Sequence, residues 1–499
     1  MGCFRCMPVM NAGCLHVVVM SLLSAMMLFS PQVSAAASDG NGPPKLLLVS
    51  FDGFRWNYPS KLPASKLPNF QAFIDKGVHV RWVENVFPTI TQPNHMSMVS
   101  GLYVESHGLV HNHFYDPLLN ATFPPKVLKE NDSKWVDVGA EPIWVTNSKA
   151  GGERSSGSIY WPSSTAKIKG HLPDKLKLGH WDDITPEEKV DLAFEWLAHE
   201  SDPANFVAMY FGNPDHMSHV HGPDSQEVLD IIISRDKIVG KILSKIQEKG
   251  LEDKLNVIIT ADHGHAPVYN QTMINLDLLV DPSSYKTYQK VQDGRAVVML
   301  TPNEGFFDKV VDSLKHRNLH VAIKGKSKDL VDLHYSNNVR IPPIVLYGEQ
   351  GWIIGTNKTT FLSGKGEHGW DPRYAPSMYP FFMASGPAFK KGVRNEAPFH
   401  IVDMYSLMCH VLGLTPAPNN GSLSNTAHIL SASVSTVTTY IEIVIGILVV
   451  IVAVVIILFI IRSLQKKKNI TASYKRTFTE ESSRGMMAEG VVEFKDEDL

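Results

Sequence analysis

Three apolar runs in the chain have the pattern of strands that are buried on both faces. They begin at Lys45, Phe206 and Leu255, and their sequences are KLLLVSFDGF, FVAMYFGNPD and LNVIITADHG. Continuous apolar runs of this length are typical of a parallel sheet, because a half-exposed strand alternates apolar and polar residues. Residues 225–250, between the second and third runs, have helical spacing and end at Gly250, a residue type that terminates helices. This alternation predicts an α/β fold with a central, mostly parallel sheet flanked by helices.

Two longer apolar segments predict how the chain is oriented in a membrane. Residues 16–38 follow Arg5 and end in small residues, the pattern of a cleaved secretory signal peptide, with an uncleaved signal anchor as the alternative. Residues 443–461 carry no charge and are long enough for a bilayer core of about 30 Å. Arg462 and Lys466–Lys468 follow, and positive charge stays on the cytoplasmic side. The sequence therefore predicts a single-pass type I protein of the plasma membrane, with its N-terminal bulk outside the cell.

These segments divide the chain into five predicted regions. A signal peptide (1–36) precedes an extracellular domain (43–425), a stalk rich in Ser, Thr and Val (426–442), a transmembrane helix (443–461) and a cytoplasmic tail (462–499). The tail mixes basic and acidic residues, and we expect it to be disordered. The sequence contains no internal repeat and no cysteine-rich module.

Composition excludes one class of partner and limits the sources of stability. With 499 residues, 44% of them apolar, the chain can bury a large core, whereas its formal charge of −3 offers no field that would attract nucleic acid. Three of the four cysteines lie in the predicted signal peptide, so the mature chain keeps Cys409 alone, in an apolar helical pattern typical of the core. An extracellular domain without an internal disulfide depends on a large core or on metals.

The predicted orientation gives meaning to the N-x-S/T sequons. Asn469 matches this pattern but lies in the predicted tail, where we expect it to be unmodified. The candidate N-glycosylation sites on the extracellular side are Asn120, Asn131, Asn270, Asn357 and Asn420.

Acidic residues and histidines follow the predicted strands. In open α/β sheets, ligands bind beyond the carboxyl ends of the strands. The pattern places Asp52, Asp215 and Asp262 there, one after each apolar run. Asp215 and His219 are four residues apart and would share one face of a helix. Each short match alone is more typical of a turn or a solvated helix face, but carboxylate and imidazole ligands together suit zinc or another divalent first-row metal. The candidate metal ligands, enough for two ions, are Asp52, Thr91, Asp215, His219, Asp262, His263 and His368.

The stretch FPTITQPNH contains a candidate nucleophile. Thr89 and Thr91 both precede Pro93, a residue that suits the first turn of a helix. A threonine hydroxyl is unreactive at its free pKa, but metal coordination favours its alkoxide. A helix N-terminus also favours an anionic phosphate. The local pattern predicts a nucleophilic threonine in a phosphate site, and it does not by itself choose between the two.

The motif series of the chain resembles that of a known family. Seven motifs occur in order between Leu46 and Phe389, within a resemblance that covers about residues 45–422: LLLVSFDGFRWNY, NVFPTITQPNHMSMVSGLYVESHGLVHN, PIWVTN, NPDHMSHVHGP, NVIITADHG, GEHGWD and MYPFFMASGPAF. They resemble those of the ectonucleotide pyrophosphatase/phosphodiesterases, and the chain is most like their short type 4 and type 5 membrane members. The resemblance implies an alkaline-phosphatase-like core with two zinc ions.

The resemblance also assigns individual roles. It makes Thr91 the nucleophile rather than Thr89, and it matches Asn112 to an asparagine that holds a phosphate oxygen. The implied ligands of one zinc are Asp215, His219 and His368. The implied ligands of the other zinc are Asp52, Asp262, His263 and Thr91.

The implied activity is hydrolysis of phosphodiester or pyrophosphate bonds in extracellular nucleotides. It proceeds through a covalent nucleotidyl-threonine and releases nucleoside 5'-monophosphates. NAD, dinucleoside polyphosphates, ATP and ADP are the expected classes of substrate. A phosphodiesterase for choline phospholipids is a second hypothesis. A catalytically silent surface protein for adhesion or signalling is a third, which the loss of a ligand would have favoured.

The chain departs from the family pattern beside the nucleophile. Many members have TKTFPN, whose aromatic residue stacks on the nucleobase, whereas this chain has TITQPN, with Ile90 and Gln92 at the changed places. Base stacking would then come from elsewhere, and Tyr160 and Trp161 are the aromatic candidates, with packing in the core as the alternative.

Other histidines lie near the candidate ligands but outside the matched positions. We expect them to orient ligands or to be structural, because metal-bound groups need hydrogen-bond partners. Among them, His216 and His221 are the expected competitors for metal because they flank Asp215 and His219. The full set is His95, His107, His111, His113, His216, His221 and His265.

Overall fold

The computed structural model describes residues 42–123, 132–360 and 365–431, together with 458–466 and a few separate positions between 444 and 470. The chain divides into two compact units, Met1–Ser431 and Ala432–Leu499. The predicted signal peptide, most of the predicted stalk and tail, and part of the predicted span lie outside the described residues. Within the part that is described, no helix combines the length and the apolar character needed to cross a membrane. The first unit extends to Ser431, since Ile429 and Leu430 are fully buried in it.

Twelve strands form the two larger sheets of this unit. In chain order they are β1 (Lys45–Phe51), β2 (Gly77–Val80), β3 (Ser156–Ile159), β4 (Lys175–Lys177), β5 (Phe206–Phe211), β6 (Leu255–Thr260), β7 (Tyr285–Lys286), β8 (Val297–Pro302), β9 (Leu319–Ile323), β10 (Ile344–Gly348), β11 (Phe382–Ser385) and β12 (Val393–Glu396). Short two-stranded pairs join Val83–Glu84 to Phe399–His400, Tyr115–Asp116 to Ala121–Thr122, Ala266–Pro267 to Gly366–Glu367, and Met273–Asn275 to Ile353–Gly355.

The main sheet has eight strands in the order β12-β2-β11-β6-β1-β5-β3-β4. All neighbouring strands are parallel except β11, which runs antiparallel to both β2 and β6. The three predicted strands are β1, β5 and β6, and every residue of β5 and β6 is buried. The prediction of an α/β fold with a mostly parallel sheet is therefore confirmed.

In the described part of this unit, helices of seven residues or more connect the strands, and several of them pack against the main sheet. The predicted helix after Ser225 is Gln226–Glu248; the Ser225 side chain caps it by accepting from Val228 N–H, and Gly250 follows with a φ of +59°. Its buried stripe includes Val228, Ile232 and Val239. The eight helices are α1 (Pro68–Asp75), α2 (Thr91–Ser100), α3 (Ile143–Lys149), α4 (Pro186–Leu197), α5 (Asp215–His221), α6 (Gln226–Glu248), α7 (Phe307–Ser313) and α8 (Asp403–Val411). Shorter helices are Val104–His107, Ser133–Val136, Leu276–Leu279, Lys328–Asp332 and Leu423–Thr426.

A second, antiparallel sheet lies between β6 and β11 in the sequence. Its strand order is β7-β8-β10-β9, and it has its own apolar cluster, which includes Leu276, Val298, Leu300 and Leu346. The apolar pattern of the sequence did not predict this sheet, because its strands are short and only partly alternate. It contributes Arg295, just before β8, to the surroundings of the site.

The parallel strands bring the candidate ligands to one edge of the main sheet. Asp52 directly follows β1, Asp262 comes two residues after β6, and Asp215 is the first residue of α5. Asp215 N–H donates to the Asp52 carbonyl at 2.9 Å. Gly53, with a φ of +71°, permits this approach, since a Cβ there would lie 2.9 Å from the Asp215 Cα. The edge is the one that the sequence predicted.

Candidate active site

Thr91 is the first residue of helix α2. Pro93 is the third helical residue, so the helix begins two residues earlier than a start at proline would place it. Backbone N–H groups of a first turn have no partner within their helix. One of them, the N–H of Gln92, donates to Asn112 Oδ1 at 2.9 Å. This bond holds the amide of Asn112 beside the helix start, so Thr91 and Asn112 lie together as predicted.

The first group of candidate ligands surrounds His263. Its Nε2 atom lies 3.4 Å from Asp52 Oδ1, 3.2 Å from Asp262 Oδ2 and 3.4 Å from Thr91 Oγ1. The two aspartates and His263 are buried, whereas Thr91 is only half-buried. The four side chains that were predicted for one ion therefore converge, and Thr91 is the least buried of the four residues.

The second group of candidate ligands surrounds Asp215. Its Oδ1 atom lies 3.4 Å from His219 Nε2 and 3.5 Å from His368 Nε2, and these two nitrogens are 3.2 Å apart. Asp215 and His219 share a face of α5, as their spacing predicted. The rings of His263 and His368 stack with centroids 3.7 Å apart, so the two groups are neighbours.

Backbone carbonyls orient three of the imidazoles. The Nδ1–H of His219 donates to Gly366 O at 2.9 Å, that of His263 to Gly264 O at 3.0 Å, and that of His368 to Thr89 O at 3.0 Å. A carbonyl can only accept, so Nδ1 carries the proton and the lone pair of each neutral ring is on Nε2. In all three rings Nε2 is the atom that faces the carboxylates, which is the arrangement of a metal ligand.

The electrostatics of the first group indicate a cation. Burial and the charge of Asp262 raise the pKa of Asp52 well above its usual range, and burial and Asp215 raise the pKa of Asp262 to about 8. Asp52 Oδ1 and Asp262 Oδ2 are buried without a hydrogen-bond partner among the described residues. These same oxygens face the lone pair of His263 Nε2. Acceptors that face acceptors fit a bound cation, and oxygen and nitrogen donors of this kind suit zinc.

In the second group of candidate ligands, the carboxylate and an imidazole shift each other's pKa in opposite directions. Burial by itself would lower the pKa of His219, but the neighbouring Asp215 carboxylate raises it to about 9. Burial would raise the pKa of Asp215, but His219 and His265 hold it well below its usual range. Asp215 therefore stays ionised, while His219 is the imidazole from which a metal would displace a proton.

Three residues outside the predicted ligand set contact it. His265 Nε2 lies 2.7 Å from Asp215 Oδ1, and the Tyr210 hydroxyl donates to Asp52 Oδ2. His95 Nδ1 lies 2.9 Å from the Thr91 carbonyl and 3.4 Å from an Asp262 oxygen. For His95 and His265 these contacts are compatible with the orienting role that the sequence predicted, and the role stays a prediction. Tyr210 was missed, and its one signal is a hydroxyl in an otherwise apolar strand.

The expected competitors for metal are not among the candidate ligands. His221 Nδ1 lies 3.7 Å from Glu227, and the ring of His216 lies 6.2 Å from that of Trp181. Among the described residues, His265 takes this place instead: ligand atoms of Asp215, His263, His265 and His368 lie within 4.8 Å of one another. His216 and His221 lie on the same short helix as Asp215 and His219 but on its other faces, so they point away from the candidate metal site. His265, in contrast, follows the end of β6 together with His263.

The residues around Thr91 explain part of the departure from the family pattern. The buried Thr89 donates its hydroxyl to Trp370 O at 2.9 Å and accepts from Gly369 N–H, so Thr89 is structural, as expected. Gln92 Oε1 accepts from the Ser163 hydroxyl at 2.6 Å. The amide at the place of the family aromatic is therefore tied to the loop that follows β3.

The two aromatic candidates for base stacking are buried. Trp161 is 1% exposed and packs edge-on against His95 with ring centroids 5.0 Å apart. Tyr160 is 9% exposed, and the Lys189 ammonium lies 5.2 Å from the centre of its ring. Neither ring presents a free face, which favours the alternative that they pack the core.

Four of the five candidate glycosylation sequons are described, and their asparagines are exposed: Asn120, Asn270, Asn357 and Asn420. Asn131 lies outside the described residues. Exposure is compatible with N-glycosylation, which stays a prediction at all five positions.

The fold and this site define a class of protein. An alkaline-phosphatase-like α/β domain carries two adjacent groups of ligands that could hold metal ions, with a hydroxyl at a helix N-terminus beside them. Residues 46–371 match the family described as type I phosphodiesterase / nucleotide pyrophosphatase. The chain belongs to this family, and it is a hydrolase.

Similar proteins include several curated members of the family. The chain is 40% identical over 399 residues to bis(5'-adenosyl)-triphosphatase enpp4 of Mus musculus, with 79% of this chain and 83% of that protein covered. It is 37% identical over 399 residues to ectonucleotide pyrophosphatase/phosphodiesterase family member 5 of Homo sapiens, with 80% of each covered. It is 36% identical over 390 residues to family member 7 of Mus musculus, with 76% of this chain and 85% of that protein covered.

Solved structures agree with these similarities. The chain superposes on murine ectonucleotide pyrophosphatase/phosphodiesterase 5, in an inactive form in complex with AMP, with a TM-score of 0.72 and 37% identity. That match covers 78% of this chain and 100% of the other. The human protein of the same type gives the same TM-score of 0.72, identity and coverage.

Proposed function

We propose that this chain is a cell-surface, zinc-dependent nucleotide pyrophosphatase/phosphodiesterase that acts through a covalent nucleotidyl-threonine. The observation that carries the proposal is the position of Thr91 Oγ1, 3.4 Å from His263 Nε2. The same nitrogen lies 3.4 and 3.2 Å from two buried carboxylate oxygens that lack a donor, so the hydroxyl at the N-terminus of α2 belongs to their cluster. The proposed nucleophile therefore stands where a cation is required and where a phosphate is favoured.

The chain's own residues account for how the substrate would be held. In the first step, Thr91 Oγ attacks the phosphorus of a nucleotide. The backbone N–H groups of α2 and the Asn112 amide, fixed by Gln92, would bind its non-bridging oxygens. In the second step, water hydrolyses the threonyl ester and a nucleoside 5'-monophosphate leaves. Two zinc ions, when bound by the two groups of ligands, would lower the pKa of the Thr91 hydroxyl and of that water.

The nucleotide class of substrate is supported by similar proteins. One is described as a bis(5'-adenosyl)-triphosphatase, and a solved structure of another contains AMP in an inactive variant. NAD, dinucleoside polyphosphates, ATP and ADP are the substrates we propose to compare. The extracellular placement, the signal peptide, the membrane span and the glycans are proposed from the sequence alone.

The test is a substrate panel for the full-length chain expressed in cells, with and without a chelator. We expect hydrolysis of diadenosine triphosphate and of a nitrophenyl nucleotide ester, loss on chelation and recovery with zinc. Activity on glycerophosphocholine with none on nucleotides would support the second hypothesis, a phosphodiesterase for choline phospholipids. If the zinc-loaded chain hydrolysed none of these substrates, the third hypothesis, a catalytically silent surface protein, would be favoured. Full activity after metal removal would contradict the proposed role of zinc.

A further inference from the structure

Arg295 lies beside the site but belongs to neither group of ligands. Its backbone is fixed by two hydrogen bonds with Ile354, of 2.9 and 2.7 Å. The next residue, Ala296, packs against the loop that carries His368: a Cβ at Gly369 would lie 3.3 Å from the Ala296 Cβ. Arg295 is therefore anchored directly behind the loop of a candidate metal ligand.

The guanidinium of Arg295 is held at the rim of the site. Nη1 lies 3.3 Å from Glu367 Oε2, and Nη2 lies 3.1 Å from Asp293 Oδ2. The side chain is 25% exposed, so the group reaches solvent. The same Glu367 oxygen lies 3.9 Å from Nδ1 of His219, which places the guanidinium next to the second group of ligands. A guanidinium has five N–H donors, and these two contacts leave others for a ligand.

Arg295 is paired with Glu367 and Asp293, and its charge also acts on two histidines beside Asn112. Burial first, and then the charges of Lys290 and Arg295, lower the pKa of His113. Burial, His113 and Arg295 lower the pKa of His111. Both histidines adjoin Asn112, so the positive potential of Arg295 extends toward the residue that would hold a phosphate oxygen.

The position of the nucleophile decides which part of a substrate meets Arg295. Thr91 lies with the first group of ligands, beside His263. In an in-line displacement the leaving oxygen departs opposite to the attacking one. It would depart toward the second group of ligands, around Asp215. Whatever the leaving oxygen carries would then project past His219 and Glu367 to Arg295.

We propose that Arg295 binds a phosphate of the leaving group and so favours nucleotides with a phosphoanhydride bond over phosphodiesters whose leaving group has no phosphate. This inference rests on the proposed function and names its substrate class. In the reaction, the bond from Thr91 Oγ to phosphorus forms and the anhydride bond breaks. The electron pair goes to the bridging oxygen of a leaving phosphate, and the hydroxyl proton passes to solvent. Water then hydrolyses the threonyl ester. The oxygen of the water bonds to phosphorus, the bond from phosphorus to Thr91 Oγ breaks, and Thr91 Oγ takes up a proton.

The test compares two substrates with the same nucleoside in the full-length chain. One is a nucleoside 5'-triphosphate, and the other is the nitrophenyl ester of the corresponding 5'-monophosphate. We expect Arg295→Gln to lower kcat/KM for the triphosphate at least about tenfold, because one charge-assisted contact is lost. For the ester, kcat/KM should change less than about threefold, because its leaving group has no phosphate. Arg295→Lys keeps the charge and should restore part of the loss. Inhibition by inorganic pyrophosphate should weaken in parallel in Arg295→Gln.

Arg394 offers a matched control. It is an arginine held by a carboxylate, Asp75, on the edge strand β12, away from the ligands, and Arg394→Gln should leave both substrates unchanged. Equal losses on both substrates in Arg295→Gln, or no loss on either, would overturn the inference while the proposed function stands. A wild-type chain that hydrolyses neither substrate would remove the proposed function, and the inference with it.

Discussion

The Nδ1–H of His368 donates to the carbonyl of Thr89 at 3.0 Å, and the hydroxyl of the same threonine fixes the two residues that follow His368. Thr89 is fully buried. One residue of the FPTITQPNH stretch thus orients a candidate ligand, and the other threonine is the candidate nucleophile. The FPTITQPNH stretch therefore contacts both groups of candidate ligands, through Thr89 at His368 and through Thr91 at His263.

Thr89→Val should weaken metal binding without touching a ligand. The change keeps the shape of the side chain but leaves the Trp370 carbonyl and the Gly369 N–H without their partner. We expect the zinc dissociation constant to rise about 10- to 100-fold, as for other groups that orient ligands. Competition with a chromogenic chelator measures it. Thr89→Ser keeps the hydroxyl and should bind zinc nearly normally; a Thr89→Val chain with unchanged zinc affinity would contradict this account.

Thr91→Ala should abolish turnover but leave substrate binding largely intact. Removing the nucleophile of a covalent catalyst costs at least about a thousandfold in kcat by comparison with other enzymes. Hydrolysis of a nitrophenyl nucleotide ester measures this loss. In Thr91→Ser, a covalent adduct on residue 91 should be trapped after acid quenching and found by mass spectrometry. Turnover of Thr91→Ala within tenfold of wild type would show that another group attacks the phosphorus.

The positions of the candidate ligands in the fold were predictable because they depend on local patterns. Asp52 and Asp262 each follow a continuous apolar run, and parallel strands bring such positions to one edge whatever the rest of the chain does. The spacing of Asp215 and His219 predicted a shared face if their segment were helical, and the segment is helical. These features need only the order of residues along one segment.

The parts that were missed depend on tertiary packing. Burial of Trp161 against His95 is not visible in the sequence, because a packed and an exposed tryptophan look alike there. Tyr210 reaches Asp52 across two neighbouring strands. Arg295 belongs to the segment of the second sheet, whose strands are short and have only a weak apolar pattern. Each of these contacts joins residues that are far apart in the sequence, so no local pattern could reveal them.

His265→Ala tests the histidine that contacts the Asp215 carboxylate from outside the predicted ligand set. Its Nε2 lies 2.7 Å from Asp215 Oδ1, and we expect it to orient that carboxylate. The variant should bind zinc about 10-fold or more weakly and recover most of its kcat when zinc is saturating. Isothermal titration and a zinc dependence of activity separate the two effects. His221→Ala, an exposed histidine near Glu227, is the control. A kcat that stays low at saturating zinc would mean that His265 acts in catalysis itself.

Gln92→Phe tests the departure from the family pattern. The change removes the bond from Ser163 and places an aromatic ring beside the nucleophile. Stacking on a base contributes roughly 1–3 kcal/mol, so KM for nucleotides should fall about fivefold or more. Hydrolysis of glycerophosphocholine, which has no base, should not improve. Ser163→Ala removes the same hydrogen bond without adding a ring, and an equal gain in that variant would assign the effect to release of the loop.

Lys189→Met should change how stability depends on pH. Lys189 is 2% exposed and donates to the Tyr210 carbonyl, and burial, followed by the nearby charge of Arg235, lowers its pKa to about 7. Between this value and the ordinary lysine pKa of about 10.4, the unfolded chain binds a proton that the folded chain does not. The free energy of unfolding of the wild type should therefore rise with pH in this window, by up to about 1.4 kcal/mol per pH unit, and stay flat for this group below it.

The methionine variant removes that titration, so it should be more stable than wild type at pH 7, with an advantage that shrinks as the pH rises toward 10. Urea unfolding of both chains at pH 7, 8 and 9 measures the difference, in which pH effects common to both chains cancel. Lys237→Met, at an exposed position of α6, is the matched control and should show a difference that does not vary with pH. A constant difference for Lys189→Met as well would mean that the Lys189 ammonium keeps an ordinary pKa in the folded chain, stabilised by the Tyr210 carbonyl and the surrounding aromatic rings.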